Sequence, residues 1–306
     1  MRNIKPEKRN ISAVIVTFNP DSEFPQRLAS LREQVDSVLI FDNNSTDKRA
    51  VAMLHEISCQ TNIHVLINPE NVGIATALNK GINLSIDKGY QWVLTLDQDT
   101  VVLGKLVDNF AIVYEACDFK NQIGVIGLNY KDPHTGYERD ICTNNSLYKE
   151  VGSVITSGSL VSIPAFIKTG LFREDFFIDQ IDHEYCLRLK NLGYKIIFSF
   201  QVGMLHPVGE MQIHNFLWKQ FEITNHKPFR RYYIMRNYTV LQMEYSNKKY
   251  TWIINKVIKR LYEEAFKIFL FENQKFVKTY AMMLGVWDGI RGKMGKMKSN
   301  IGRIAK

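Results

Sequence analysis

The chain has 306 residues, 45% of them hydrophobic, and a formal net charge of +8. That length and apolar content suffice for a full α/β core and exclude a disordered or fibrous chain. No run of about 18 apolar residues follows the charged start MRNIKPEKRN or occurs later, so neither a spanning helix nor a secretory leader is expected. Cys59, Cys117, Cys142 and Cys186 show no CxxC spacing, which argues against a zinc site or a disulfide framework and for a reduced, cytoplasmic setting.

Apolar runs at 11–18 (ISAVIVTF), 37–41 (SVLIF), 63–67 (IHVLI) and 92–96 (WVLTL) predict four strands, separated by stretches with helical spacing. Strands alternating with helices predict a Rossmann-like, mostly parallel sheet flanked by helices, with its ligand crevice outside the carboxyl ends of the strands. Past residue 104 the alternation loosens. A short strand is predicted at 123–128, an irregular loop at 131–146, and a strand at 154–163 interrupted by Gly158, the mark of a bulge or a close backbone approach. A helix at 182–192 stops at Gly193, and a further strand follows at 195–200.

The polar residues at the strand ends carry the chemistry. Asp97 and Asp99 end the fourth strand two residues apart, so both carboxylates face one side and suit a hard divalent cation, Mg2+ or Mn2+, with a diphosphate as its client. The same pair also fits a helix cap or a solvated loop. Asp42 ends the second strand, where a carboxylate accepts from a ribose or a base; residues 43–46 read as a turn, with Asp47 available as the cap. Asn71 and Gly73 lead into a helix whose first N–H groups favour an anion. No GxGxxG or Walker lysine motif is present, which argues against a dinucleotide or P-loop site. Asp182 lies at a helix start, where the dipole favours an ionised carboxylate able to take a proton from a hydroxyl. Glu184 either pairs with Arg188 at i,i+4 or supplies a second carboxylate. His206, beyond the strand at 195–200, is a candidate third metal ligand or phosphate contact.

Taken in order, VIVTFNP, FDNNSTD, NPENVGIATALNKG, LDQDT, TSGSL and FIDQIDHEYCLRL resemble the family 2 glycosyltransferases of GT-A type, and most closely their bacterial rhamnosyltransferase branch. The similarity runs from about residue 11 to about 241. It implies that Thr17, Asn19, Asp42, Asn71, Gly73 and Asp97 bind the nucleotide, that Asp97 and Asp99 hold the metal, and that Asp182 is the catalytic base. Ser157, Gly158, Tyr233 and Arg236 match segments near the acceptor or the diphosphate. Many family members have Glu-Asp where this chain has Ile181-Asp182, so Glu184 stays an alternative source of the second carboxylate.

The organisation expected is a catalytic domain over 1–245, with a nucleotide-sugar half at about 11–103 and an acceptor half at about 104–245, followed by a basic amphipathic tail over 246–306. From residue 246 onward 14 Lys and Arg stand against 4 Asp and Glu, whereas the rest has 25 against 27. Apolar residues at helical spacing with lysines between them suit an anionic membrane surface, or a packed or dimer-forming helix. The resemblance implies inverting transfer of L-rhamnose from dTDP-rhamnose to a lipid-linked glycan of O-antigen or capsule, peripherally at the inner face of the plasma membrane. UDP-sugar transfer and a non-catalytic nucleotide-sugar scaffold are the alternatives. A nucleic-acid partner is not expected, since no recognisable motif accompanies the basic tail.

Overall fold

The structure is a computed structural model that describes residues 3–142, 146–207, 212–216, 218–246 and 250–297. The chain forms two compact units, one of residues up to 173 together with 182–207, the other of 174–181 together with the chain beyond 207. The expected boundary near residue 245 falls inside the second of these.

The first unit contains β1 (Ile11–Thr17), α1 (Phe24–Arg32), β2 (Ser37–Asp42), α2 (Lys48–Ser58), β3 (Ile63–Ile67), α3 (Ile74–Asp87), β4 (Trp92–Asp97), β5 (Val101–Val102), α4 (Leu106–Ala116), β6 (Ile123–Lys131), β7 (Tyr148–Glu150), β8 (Ser159–Ser162) and α5 (Ile163–Thr169). It closes with α6 (Ile181–Asn191), from Asp182 onward, and β9 (Lys195–Leu205). The strands form one sheet in the order β3-β2-β1-β4-β8-β6-β9-β5, with β7 also paired to β9. β3, β2, β1 and β4 run parallel; the near-continuous apolar sequences of β1, β2 and β4 are buried as expected of strands covered on both faces, whereas the edge strand β3 buries only Ile63. Beyond β4 the sheet becomes mixed, because β8 runs antiparallel to both β4 and β6. Register decides the site: Thr17 lies opposite Asp42, and Val16 opposite Asp97, so three polar strand ends emerge on one edge.

The first four strands start where their sequences predict and end within one residue of it. The strand expected at 154–163 instead begins at Ser159, because Gly158 takes φ +73° and turns the chain. A Cβ there would lie 2.4 Å from Met204 Sδ, so the close approach that the glycine signals is to a side chain of β9, two strands away in the sheet. β9 runs five residues further than expected, to Leu205, and thereby carries the chain to His206.

The second unit holds the hairpin β10 (Gln212–Phe216) and β11 (Lys219–Ile223), followed by α7 (Pro228–Tyr245), α8 (Tyr250–Phe271) and α9 (Lys275–Ile290). α9 packs closely on α7 at Gly285, where a Cβ would sit 2.3 Å from the Tyr232 carbonyl oxygen. A charged network lies inside: Arg231 donates to Glu264 Oε2 at 2.6 Å and to Glu272 Oε1 at 2.5 Å, and Lys278 to Glu272 Oε2 at 2.7 Å. The segment 298–306, the end of the expected lipid-facing stretch, lies outside the described residues.

Candidate active site

The ends of β1 and β2 are laced together by the predicted nucleotide-binding residues. Thr17 Oγ1 donates to Asp42 Oδ1 at 2.9 Å, and the Ser45 hydroxyl and amide donate to the same carboxylate at 2.6 and 2.7 Å. Asn19 Oδ1 accepts the Thr46 and Asp47 amides at 2.8 and 3.0 Å, which staples the first loop to the second. Thr17 and Asp42 are buried, so their polar atoms serve first to fix the loop backbones. Asp47 caps α2, accepting from the Arg49 and Ala50 amides, as its sequence position implies. Asn71 Oδ1 accepts the Gly73 amide at 3.0 Å, and Asn43 donates to the Gly73 carbonyl at 3.2 Å, setting the entry to α3. The exposed Phe18 and the intervening Gln98 carried no sequence signal; the Phe18 amide donates to Gln98 Oε1 at 2.8 Å, joining the β1 and β4 ends.

Asp97, Asp99 and His206 converge, with one potential ligand atom from each lying within 4.8 Å of the others. His206 Nε2 is 3.9 Å from Asp97 Oδ2, and its Nδ1 is 3.6 Å from Asp99 Oδ1. The His206 amide donates to the Lys131 carbonyl at 3.1 Å, and the ring meets Tyr130 edge-on at 5.6 Å, so both backbone and ring are held. Asp99 Oδ1 is buried and takes no hydrogen bond. A buried carboxylate oxygen in that state is costly unless a cation completes it. Two carboxylates and one imidazole fit Mg2+ or Mn2+.

Residues 156 and 157 connect this cluster to Asp182. Ser157 Oγ accepts the Asp97 amide at 3.1 Å, while Thr156 and Asp182 line one small cavity, where the Thr156 backbone helps to lower the Asp182 pKa. Thr95 Oγ1 holds the Thr156 carbonyl from below at 2.6 Å. Burial raises the Asp182 pKa, but the His183 hydrogen bond and charge and the His183 and Thr156 backbone groups outweigh it and hold the carboxyl below its ordinary value. His183 Nδ1 and the His183 amide reach Asp182 Oδ1 at 2.9 and 2.8 Å. The Asp182 side chain keeps 18% exposure. Neither Thr156 nor His183 was singled out by sequence, because an unremarkable Thr and a surface-type His become informative only through what they touch.

Two expected site assignments are corrected. Glu184 lies two residues from Asp182, a rotation of about 200° around a helix, and so faces inward. It is fully buried and accepts from Arg188 Nε at 2.7 Å, while Arg188 also binds the Thr169 and Leu171 carbonyls. That places Glu184 in a structural pair, not at a second catalytic carboxylate. Tyr233 and Arg236, expected near the acceptor or diphosphate, are core residues of the second unit with no exposed surface. The Arg236 guanidinium donates to the Gly295, Asp175 and Phe176 carbonyls and to Asn237, and the Tyr233 hydroxyl accepts the Met297 amide at 2.7 Å. Ser157, from the same expected group, lies beside the metal cluster through its bond with the Asp97 amide, while the Gly158 amide donates to the Thr95 carbonyl at 2.9 Å.

Residues 12–151 match the profile of glycosyl transferase family 2. Over 95% of this chain and 99% of the relative, the sequence is 28% identical to the dTDP-rhamnosyl transferase RfbF of Shigella flexneri. The mannosyltransferase PcManGT from Pyrobaculum calidifontis, solved with GDP-Man and Mn2+, matches with a TM-score of 0.58 at 13% identity, over 96% of this chain and 91% of that one. TarS 1–349 of S. aureus, solved with UDP, matches with a TM-score of 0.54 at 12% identity, over 92% of each chain. These two structures show that the fold is shared.

Proposed function

We infer, because residues 12–151 match the family model of glycosyl transferase family 2, that the chain transfers a sugar from a nucleoside-diphosphate donor to a hydroxyl acceptor with inversion. The observation that carries this reading is the two-residue link, Thr156 to Asp182 and Ser157 to Asp97, which ties a candidate base to a candidate diphosphate site. Asp182 takes the acceptor hydroxyl proton as the acceptor oxygen bonds to the anomeric carbon and the bond to the diphosphate breaks. Asp97, Asp99 and His206 would hold a divalent cation, which would supply charge neutralisation for the departing diphosphate. Thr17, Asn19 and Asp42 hold the loops that receive the nucleoside, and Asn71 and Gly73 set the α3 start near its phosphates.

The likeness to a dTDP-rhamnosyl transferase favours dTDP-rhamnose as the donor, and a lipid-linked glycan acceptor is what the sequence resemblance implies. Calorimetric titration with dTDP-rhamnose, UDP-sugars and GDP-mannose, each with and without Mn2+, tests the donor. Tightest binding of dTDP-rhamnose, dependent on Mn2+, is expected; tighter binding of a UDP-sugar would discard the donor and keep the mechanism. Asp99→Ala is expected to remove most of the Mn2+ enhancement, and an undiminished enhancement would count against the metal assignment.

The second unit supports association with an anionic lipid surface. Among the described residues, no helix is long and apolar enough to cross a membrane. α9 is apolar on two faces: Ala281, Met282, Gly285 and Gly289 are buried, while Phe276, Tyr280, Met283 and Trp287 form an exposed stripe at 55% to 80%. Glu264 and Glu272 are drawn inside against Arg231 and Lys278, whereas Lys256, Lys259, Arg260, Lys275, Arg291, Lys293 and Lys296 stay exposed. Aromatic residues beside exposed basic ones are the chemistry of a bilayer interface. The protein is expected to float with anionic vesicles at low salt and to lose most of that binding when Phe276 and Trp287 are both changed to Ser. Equal flotation of the double variant would remove α9 from the contact.

A further inference from the structure

Thr100 and Ser157 link His206 to the end of β4 through their hydroxyls. Thr100 Oγ1 lies 2.9 Å from His206 Nδ1 and 2.7 Å from Ser157 Oγ, which in turn accepts the Asp97 amide at 3.1 Å. Thr100 is 5% exposed and Ser157 2%, so water does not compete effectively for these bonds. Three separate parts of the chain meet here: the loop after β4, the turn before β8, and the residue that follows β9.

We propose that Thr100, backed by Ser157, is a positioning residue that holds His206 as the Nδ1–H tautomer and so presents the Nε2 lone pair to the cation beside Asp97. This rests on the metal reading above and adds to it a determinant of metal affinity that touches neither metal nor substrate.

Of the two polarities that place one proton in each bond, only one leaves Nε2 unprotonated for the cation: Nδ1–H donates to Thr100 Oγ1, the Thr100 hydroxyl donates to Ser157 Oγ, and Ser157 Oγ accepts the Asp97 amide. Nε2 is 3.9 Å from Asp97 Oδ2, beyond hydrogen-bond reach, so it is not engaged by that carboxylate. Nδ1 is 3.6 Å from Asp99 Oδ1, also beyond reach, so Thr100 is its hydrogen-bond partner. Which imidazole nitrogen stays free for a metal is set by the bond that the other one makes. The same chain fixes Asp97 through its own amide, so one pair of hydroxyls orients two ligands that are far apart in sequence.

The test is a double-mutant cycle read by Mn2+ titration with electron paramagnetic resonance, at saturating dTDP. Thr100→Val is expected to weaken Mn2+ binding by about 10- to 100-fold, the range for loss of a partner behind a ligating histidine, and Thr100→Ser to restore it. In a His206→Ala background Thr100→Val is expected to add no further loss, because its effect passes through the ring. Nitrogen-15 spectra of the Mg2+-loaded protein are expected to show His206 protonated at Nδ1, with that preference weakened in Thr100→Val and in Ser157→Ala. Equal weakening by Thr100→Val with and without His206, or a proton found on Nε2 in the wild type, would overturn the proposal. Mn2+ binding that is indifferent to Asp97→Ala and Asp99→Ala would overturn the metal reading itself. Binding that depends on both aspartates but ignores Thr100→Val would sink only the positioning role.

Discussion

Asp182→Asn is expected to lower kcat by about 100- to 10,000-fold, the usual contribution of a general base, while donor affinity stays unchanged. The carboxamide keeps the size of the side chain but cannot take the acceptor proton. Because the Asp182 pKa is held below its ordinary value, the wild-type base is ionised throughout the neutral range, and the acid limb of kcat against pH lies below the ordinary carboxylate range. His183→Gln removes the charge and the ring hydrogen bond that oppose desolvation, so the folded-state pKa rises and the acid limb moves upward. The sign is fixed: a depressed carboxyl also stabilises the fold above its unfolded pKa, and that contribution is lost as pH falls through the lowered value. Initial rates across pH, with donor binding measured separately, decide the matter; normal turnover of Asp182→Asn would remove the residue from the base role.

Glu272→Ala is expected to destabilise the second unit by about 3–5 kcal/mol, the cost of removing one partner from a buried charge pair. Glu272 is fully buried and takes Arg231 on one oxygen and Lys278 on the other; both cations keep only 4% side-chain exposure. Without it two positive charges remain beside His226, whose pKa is already pushed down to about 3 by burial first and then by Arg230, Arg231 and Lys278. The exposed pair Lys259–Glu263, at 3.9 Å, makes the contrast, and Glu263→Ala is expected to change little. Urea unfolding of both variants measures the difference, and an unchanged midpoint for Glu272→Ala would show that the network is not stabilising as drawn.

Much of the parallel half was legible because β1, β2 and β4 are short apolar runs broken abruptly by polar residues, and burial on both faces demands that pattern. The triad was legible in part. Asp97 and Asp99 share a strand end, but His206 meets them only because β9 continues past Phe200 through residues that alternate too weakly to announce a strand. Tyr233 and Arg236 misled for a physical reason: an arginine that binds a diphosphate and one that binds backbone carbonyls are the same letter. Here the carbonyls of 174–181 and of Gly295 were the partners, and no local signal in YYIMRN names them. Glu184 was legible as either reading, and helix geometry chose between them, because positions two apart on α6 point to nearly opposite sides.

The chain leaves the first unit after Arg173, gives eight residues to the second, and returns at Asp182. Asn237 donates to the carbonyls of Phe176, Ile178 and Asp179, so that excursion is fastened within the second unit. A chimaera made by cutting at 207 and joining a relative's C-terminal part would therefore separate 174–181 from the helix that holds it, immediately before the candidate base. Recombination that respects the molecule has to move 174–181 together with the C-terminal part, as two inserts in one exchange. The C-terminal helices are thus not a detachable cassette, and the second unit is inherited intact only when both pieces move together.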